Sequence, residues 1–156
     1  MKKEELGDLI LTSQETMYRI AKTLLYNDAD CADAIQETIV RAFSKIHTLK
    51  MKQYAKTWLI KILINECYAI MRKEKKIVSL EGYVQDTGTI SLSETESYSD
   101  LYEAIYRLPE QIKITVLLYY IEGYRVKEIA GLLDCTESGV KNRLLRGREQ
   151  LKKELE

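Results

Sequence analysis

The side chains best placed to do chemistry in this chain are cations set at helical spacing. Between residues 137 and 153 lie Lys141, Arg143, Arg146, Arg148, Lys152 and Lys153, against only Glu137 and Glu149. On a helical wheel Val140, Leu144, Gly147 and Leu151 form one apolar seam, and Lys141, Asn142, Leu145 and Arg146 face the other way. An amide, two cations and one isolated leucine on an outward face suit base edges, phosphates and a thymine methyl. A second stripe, Lys61, Asn65, Tyr68 and Arg72, recurs at i, i+4, i+7 and i+11. There the cations can track phosphate, the amide can read a base edge, and the phenol can stack on an unpaired base. Covalent chemistry has no comparable set. The single histidine, His47, cannot build a metal site alone, and there is no Gly-rich phosphate loop, paired-carboxylate or Cys/His constellation. No catalytic residue, metal or cofactor is therefore expected.

These side chains need helices to hold them. Residues 124–151 read as a short helix over Val126 to Leu133, a tight turn, and the basic helix, which is a helix-turn-helix layout. Ser138 can cap the second helix. Upstream, Leu108-Pro109-Glu110 opens a helix with Pro at its first position, carried inward by Ile114, Leu117, Leu118 and Ile121 and stopped by Gly123. Ser97 or Ser99 can cap a helix running to Tyr106-Arg107. In the first half, residues 4–26 are mostly helix-compatible, with Leu9, Tyr18, Ile20, Leu24 and Leu25 as apolar contacts. Asn27 to Asp30 end that segment and offer acceptors for the next helix. That helix runs over about residues 31–46, with Ile35, Ile39, Ala42, Phe43 and Ile46 on its inner face. After a loop, a third helix covers about residues 54–76, with Leu59, Ile62, Leu63 and Ile70 inward and Trp58 in the core. Residues 78–97 lose the helical period and gain Gly, Ser and Thr. They read as a linker, with a short β-hairpin near Asp86-Thr87-Gly88 as the weaker alternative. The fold class is all-α, with two helical domains at residues 1–77 and 98–156 joined by a flexible acidic linker.

At 156 residues and 46% hydrophobic, the chain can bury two small cores. It has no apolar run of about 18 residues or more and no signal-peptide pattern at its start, so a cytoplasmic protein without membrane insertion is expected. Cys31, Cys67 and Cys135 form an odd, scattered set that fits buried thiols in a reducing compartment. The formal net charge is zero, from 24 cations and 24 acids. Charge is nevertheless sorted along the chain: residues 56–76 and 137–153 each carry net +4, and residues 78–103 carry −6 without a Lys or Arg.

Three motifs stand in order: ADAIQETIVRAF (32–43), TWLIKILINECYAIMRKEKK (57–76), and the stretch from LPEQIKITVLLYY to GVKNRLLRGREQL (108–151). Together they resemble the extracytoplasmic-function sigma factors, the small two-domain subunits that direct bacterial RNA polymerase to promoters. The resemblance implies that Asp33, Gln36, Glu37, Val40 and Arg41 contact core polymerase. It implies that Lys61, Asn65, Tyr68 and Arg72, with Leu49 and Lys50 of the preceding loop, take the −10 element, Asn65 lying at a flipped-base pocket. It places Lys141, Asn142, Leu145 and Arg146 in the major groove of the −35 element, flanked by Arg143 and Arg148, with Arg125 and Lys127 near the backbone. The linker is implied to thread toward the polymerase active-site cleft and RNA path, where its acidic charge could mimic nucleic acid; on the residues alone, a tether that only sets domain spacing is the equal alternative. Core RNA polymerase, promoter DNA and an anti-sigma factor are the implied partners. One departure is Glu137-Ser138-Gly139-Val140 where many members carry Gly-Thr-Val. The competing function is a stand-alone helix-turn-helix regulator using residues 108–151. It would bind duplex DNA tightly by itself, which the neutral net charge disfavours.

Overall fold

The computed structural model describes the backbone of residues 1–81 and 99–156 and the side chains of residues 1–76 and 100–156. The described residues form two compact units, one on each side of residues 82–98. All the regular structure among them is helical, as the sequence predicts. Most of the expected linker, including the alternative hairpin and the threading segment, lies outside the described residues.

In the first unit, the segment expected to be one helix is two: α1 (Lys3–Thr12) and α2 (Gln14–Leu25), broken at the buried Ser13. Ser13 leaves the helical region (φ −103°, ψ 5°), and its N–H bonds back to the Ile10 carbonyl at 3.1 Å. Tyr26, at φ 64°, closes α2 in a region unusual for an aromatic residue. Asn27 then caps α3 (Asp28–Ser44) as predicted, its Oδ1 accepting from the N–H groups of Ala29 at 2.8 Å and Asp30 at 3.2 Å. Tyr18 is not inward: it is exposed, and its hydroxyl donates to Asp28 at 2.7 Å.

α4 (Ala55–Glu81) outruns the expected end near residue 76, so residues 78–81 of the expected linker are helical. It packs on both α2 and α3, and this dual contact turns its face. Ala55, Leu59, Ile60, Leu63, Ile64 and Cys67 are buried, whereas Ile62, Ile70 and Trp58 are half-buried. The inner seam of α3 also differs from expectation. Ala42 is buried as expected, together with Cys31, Ala34 and Thr38, while Ile35, Ile39 and Phe43 lie half-buried along its flanks and Ile46 falls beyond its end. Small side chains let α3 approach its neighbours closely, and the large ones fill the grooves beside the seam.

In the second unit α5 (Ser99–Tyr106) is followed by α6 (Glu110–Val116). Pro109 is the residue before the first helical one, not the first itself, with extended ψ 146°. α6 runs into a π turn over Leu117–Ile121, in which the Glu122 N–H donates to the Leu117 carbonyl at 3.0 Å. Gly123 ends it at φ 77°, a left-handed conformation that costs glycine little. α7 (Val126–Leu133) has the predicted bounds, and Asp134 in the left-handed region (φ 53°, ψ 47°) makes the turn. α8 (Glu137–Leu155) lies against α5, α6 and α7.

Candidate functional site

The N-terminus of α8 is set by Thr136, not Ser138: the Thr136 hydroxyl accepts the Gly139 N–H at 3.0 Å. Asp134 reverses the chain, and Thr136 is the extended residue (φ −82°, ψ 158°) from which a hydroxyl can reach that N–H. Val140, Leu144 and Gly147 are buried, and Leu151 is half-buried. Gly147 is required by space, since a Cβ there would stand 2.6 Å from Val116 Cγ2 and 3.2 Å from Ile112 Cγ2. That seam fixes the rotation of α8, so Lys141, Asn142, Leu145 and Arg146 are all exposed. Leu145 is 48% exposed, a large apolar side chain in water within a basic face. The two flanking arginines are held within the unit. Arg143 is half-buried and donates to Cys135 Sγ at 3.6 Å, and Arg148 donates to the Tyr120 hydroxyl at 3.0 Å. Cys135 is accordingly half-buried and engaged, unlike Cys31 and Cys67, whose thiols burial pushes up to about 11 and about 12. Arg125 is exposed and pairs with Glu128 at 3.5 Å; Lys127 is exposed.

On α4, Asn65 and Arg72 are exposed, and Lys61 and Tyr68 are half-buried on the same side. The loop before α4 is ordered as two 3-10 turns, Ile46–Thr48 and Lys52–Tyr54. Its Lys50 is exposed and Leu49 half-buried, and Lys52 forms an ion pair with Glu5 of α1. Sequence reasoning missed Met51 and Tyr54, which are 52% and 57% exposed in this loop. Their signal was present, because apolar residues interleaved with Lys50 and Lys52 suit nucleic acid better than a core.

The outer face of α3 carries Asp33, Gln36, Glu37, Val40 and Arg41, all exposed, with Val40 at 60%. Arg41 is gripped from two sides: its Nε lies 3.2 Å from Glu37 Oε1 and 2.7 Å from Glu66 Oε1 of α4. Glu66 was not foreseen, since nothing in the linear sequence joins it to Arg41.

Two family models match the chain, Sigma-70 region 2 over residues 9–77 and Sigma-70 region 4 over residues 98–151. RNA polymerase sigma factor SigV of Bacillus subtilis is 32% identical over 168 residues, covering 99% of this chain and 98% of the relative. The chain belongs to the extracytoplasmic-function sigma factors. ECF RNA polymerase sigma factor SigW of the same organism is 24% identical, covering 98% of this chain and 90% of the relative. The fold of this sigma factor is also that of RpoE from Bartonella quintana, solved with the anti-sigma factor NepR. The two align at TM-score 0.81 and 24% identity, over 98% of this chain and 95% of that one. As a sigma factor, the chain is a promoter-recognition subunit of RNA polymerase. Among the described residues no helix is long and apolar enough to cross a membrane.

Proposed function

We propose that the three exposed faces divide the work of promoter recognition. The α8 face of Lys141, Asn142, Leu145 and Arg146 reads the −35 element, with Arg143 and Arg148 flanking. Asn65 and Arg72, beside Lys61 and Tyr68, take the −10 strand with help from Leu49 and Lys50. Asp33, Gln36, Glu37 and Val40 dock on core polymerase, and Arg41 serves this face as a counter-ion held between Glu37 and Glu66. The domains run over residues 1–77 and 98–156 with a linker between them. The protein acts in the cytoplasm, does no catalysis itself, and is held by an anti-sigma factor until needed, as RpoE is seen with NepR.

The observation that carries this reading is the α8 face: four side chains fit for a groove, all exposed, over a seam that allows α8 no other rotation. Reconstitution with core polymerase and run-off transcription on genomic fragments tests it. We expect initiation at discrete promoters; transcription no better than core alone would refute the assignment. Lys141→Ala should lower −35 affinity about tenfold while leaving the thermal melt in place. Unchanged transcription from a cognate promoter would show that α8 reads elsewhere. Asn65→Ala should preserve duplex loading and impair strand opening, and a normal permanganate footprint would count against it.

A further inference from the structure

We infer that Glu66 is a positioning residue for polymerase docking: it takes a share of Arg41 from Glu37, so that Glu37 and Asp33 keep net negative charge toward a cationic partner surface. The inference rests on the docking reading of α3. Arg41 stands between two carboxylates that compete for the same edge of its guanidinium. Glu66 wins on geometry, with a 2.7 Å contact to Nε against 3.2 Å for Glu37. It also wins on environment, because its side chain is only 15% exposed and Glu37 is 50% exposed. A charge-assisted contact gains strength as water is excluded, so the partly buried partner holds the cation more firmly. Without the Glu66 charge, Arg41 would pass wholly to Glu37, its neighbour one helical turn away, and cancel that acid on the docking face.

Glu66 also follows Asn65 directly, so the residue that sets the charge of the docking face belongs to the helix proposed to open DNA. The pair therefore links the two surfaces through one ion contact between α3 and α4. A direct-contact role for Arg41 and this counter-ion role predict opposite outcomes for double substitution. If Arg41 touches polymerase, removing it can only add to the damage. If it is a charge that Glu66 must hold away, its removal repairs the loss of Glu66.

The test is core-polymerase affinity of the full-length protein, measured by fluorescence titration at several salt concentrations, with thermal melts of every variant. Glu66→Gln should weaken binding about three- to fivefold and flatten its salt dependence. Arg41→Gln should change affinity less than twofold, and Glu66→Gln with Arg41→Gln should return to within twofold of wild type. Glu37→Gln, which leaves the α3–α4 contact intact, should weaken binding as Glu66→Gln does. A double variant no better than Glu66→Gln, or an unchanged Glu66→Gln, overturns the inference. Asp33→Lys reports on the underlying reading: if it leaves affinity unchanged, the α3 face does not dock, whatever Glu66 does.

Discussion

At the scale of single residues, Gly147 and Thr136 do the most to place the face proposed to read the −35 element. Gly147→Ala puts a methyl 2.6 Å from Cγ2 of the buried Val116, where α6 meets α8. Overpacking of that kind costs about 1–3 kcal/mol, and a melt of the variant should show it directly. Because α8 must lift or roll, DNA binding should fall even at temperatures where the domain stays folded. Thr136→Ala removes the α8 cap and should cost about 1 kcal/mol, whereas Ser138→Ala should leave stability nearly unchanged. Ser138, the cap expected from the sequence, lies inside the first turn of α8, two residues past Thr136. The left-handed Asp134 decides between them, and its conformation is a property of the turn that no periodicity reveals. Gly147, in contrast, was legible, because it falls on the apolar seam where only a close approach explains a missing side chain.

At the scale of elements, amphipathic period identified the helices, while their mutual packing chose which face went deepest. α3 shows this plainly. Its isoleucines, Ala42 and Phe43 read as the inner face, yet of these only Ala42 is buried, beside Cys31, Ala34 and Thr38. Hydrophobicity scales reward the large side chains, and close helix approach rewards the small ones. Another interhelical contact has a pH consequence. Glu74 of α4 hydrogen-bonds to Asp30 of α3, and this bond, with partial burial and the neighbouring charge, pushes Glu74 from 4.5 up to about 7. The folded state thus holds a proton that the unfolded chain has lost between those values. Its contribution is complete below about pH 4.5 and is lost as pH rises through about 7. The first unit should therefore melt at lower temperature at pH 8 than at pH 6, and Glu74→Gln should abolish that part of the slope. Lys113 acts oppositely in the second unit. Burial pushes its ammonium from 10.5 down to about 8, with the Tyr106 ring 5.7 Å away as partial compensation. Its contribution is complete above about pH 10.5 and is lost as pH falls through about 8, so stability of that unit should rise across this interval.

At the scale of the whole molecule, a net charge of zero conceals two basic helices and an acidic stretch between them. Backbone affinity for DNA follows the cations presented locally and falls steeply with salt. The free protein should therefore bind duplex promoter DNA weakly, losing most of that affinity between about 50 and 200 mM salt. Holoenzyme should bind the same fragment far more tightly, and a gel-shift series with and without core polymerase checks both. This two-part organisation was readable from the shift in composition after residue 77, although α4 persists to Glu81 because helix propagation adds a bond per residue once begun. The π turn at Leu117–Ile121 was not readable, since its residues suit an ordinary helix equally well. It carries one residue more than an α-helical turn, and each residue advances a helix by about 100°. A one-residue deletion there would remove that surplus and leave an ordinary α-helical turn, so the helix proposed to read DNA should keep its rotation, whereas the same deletion inside α6 would turn it by about that angle.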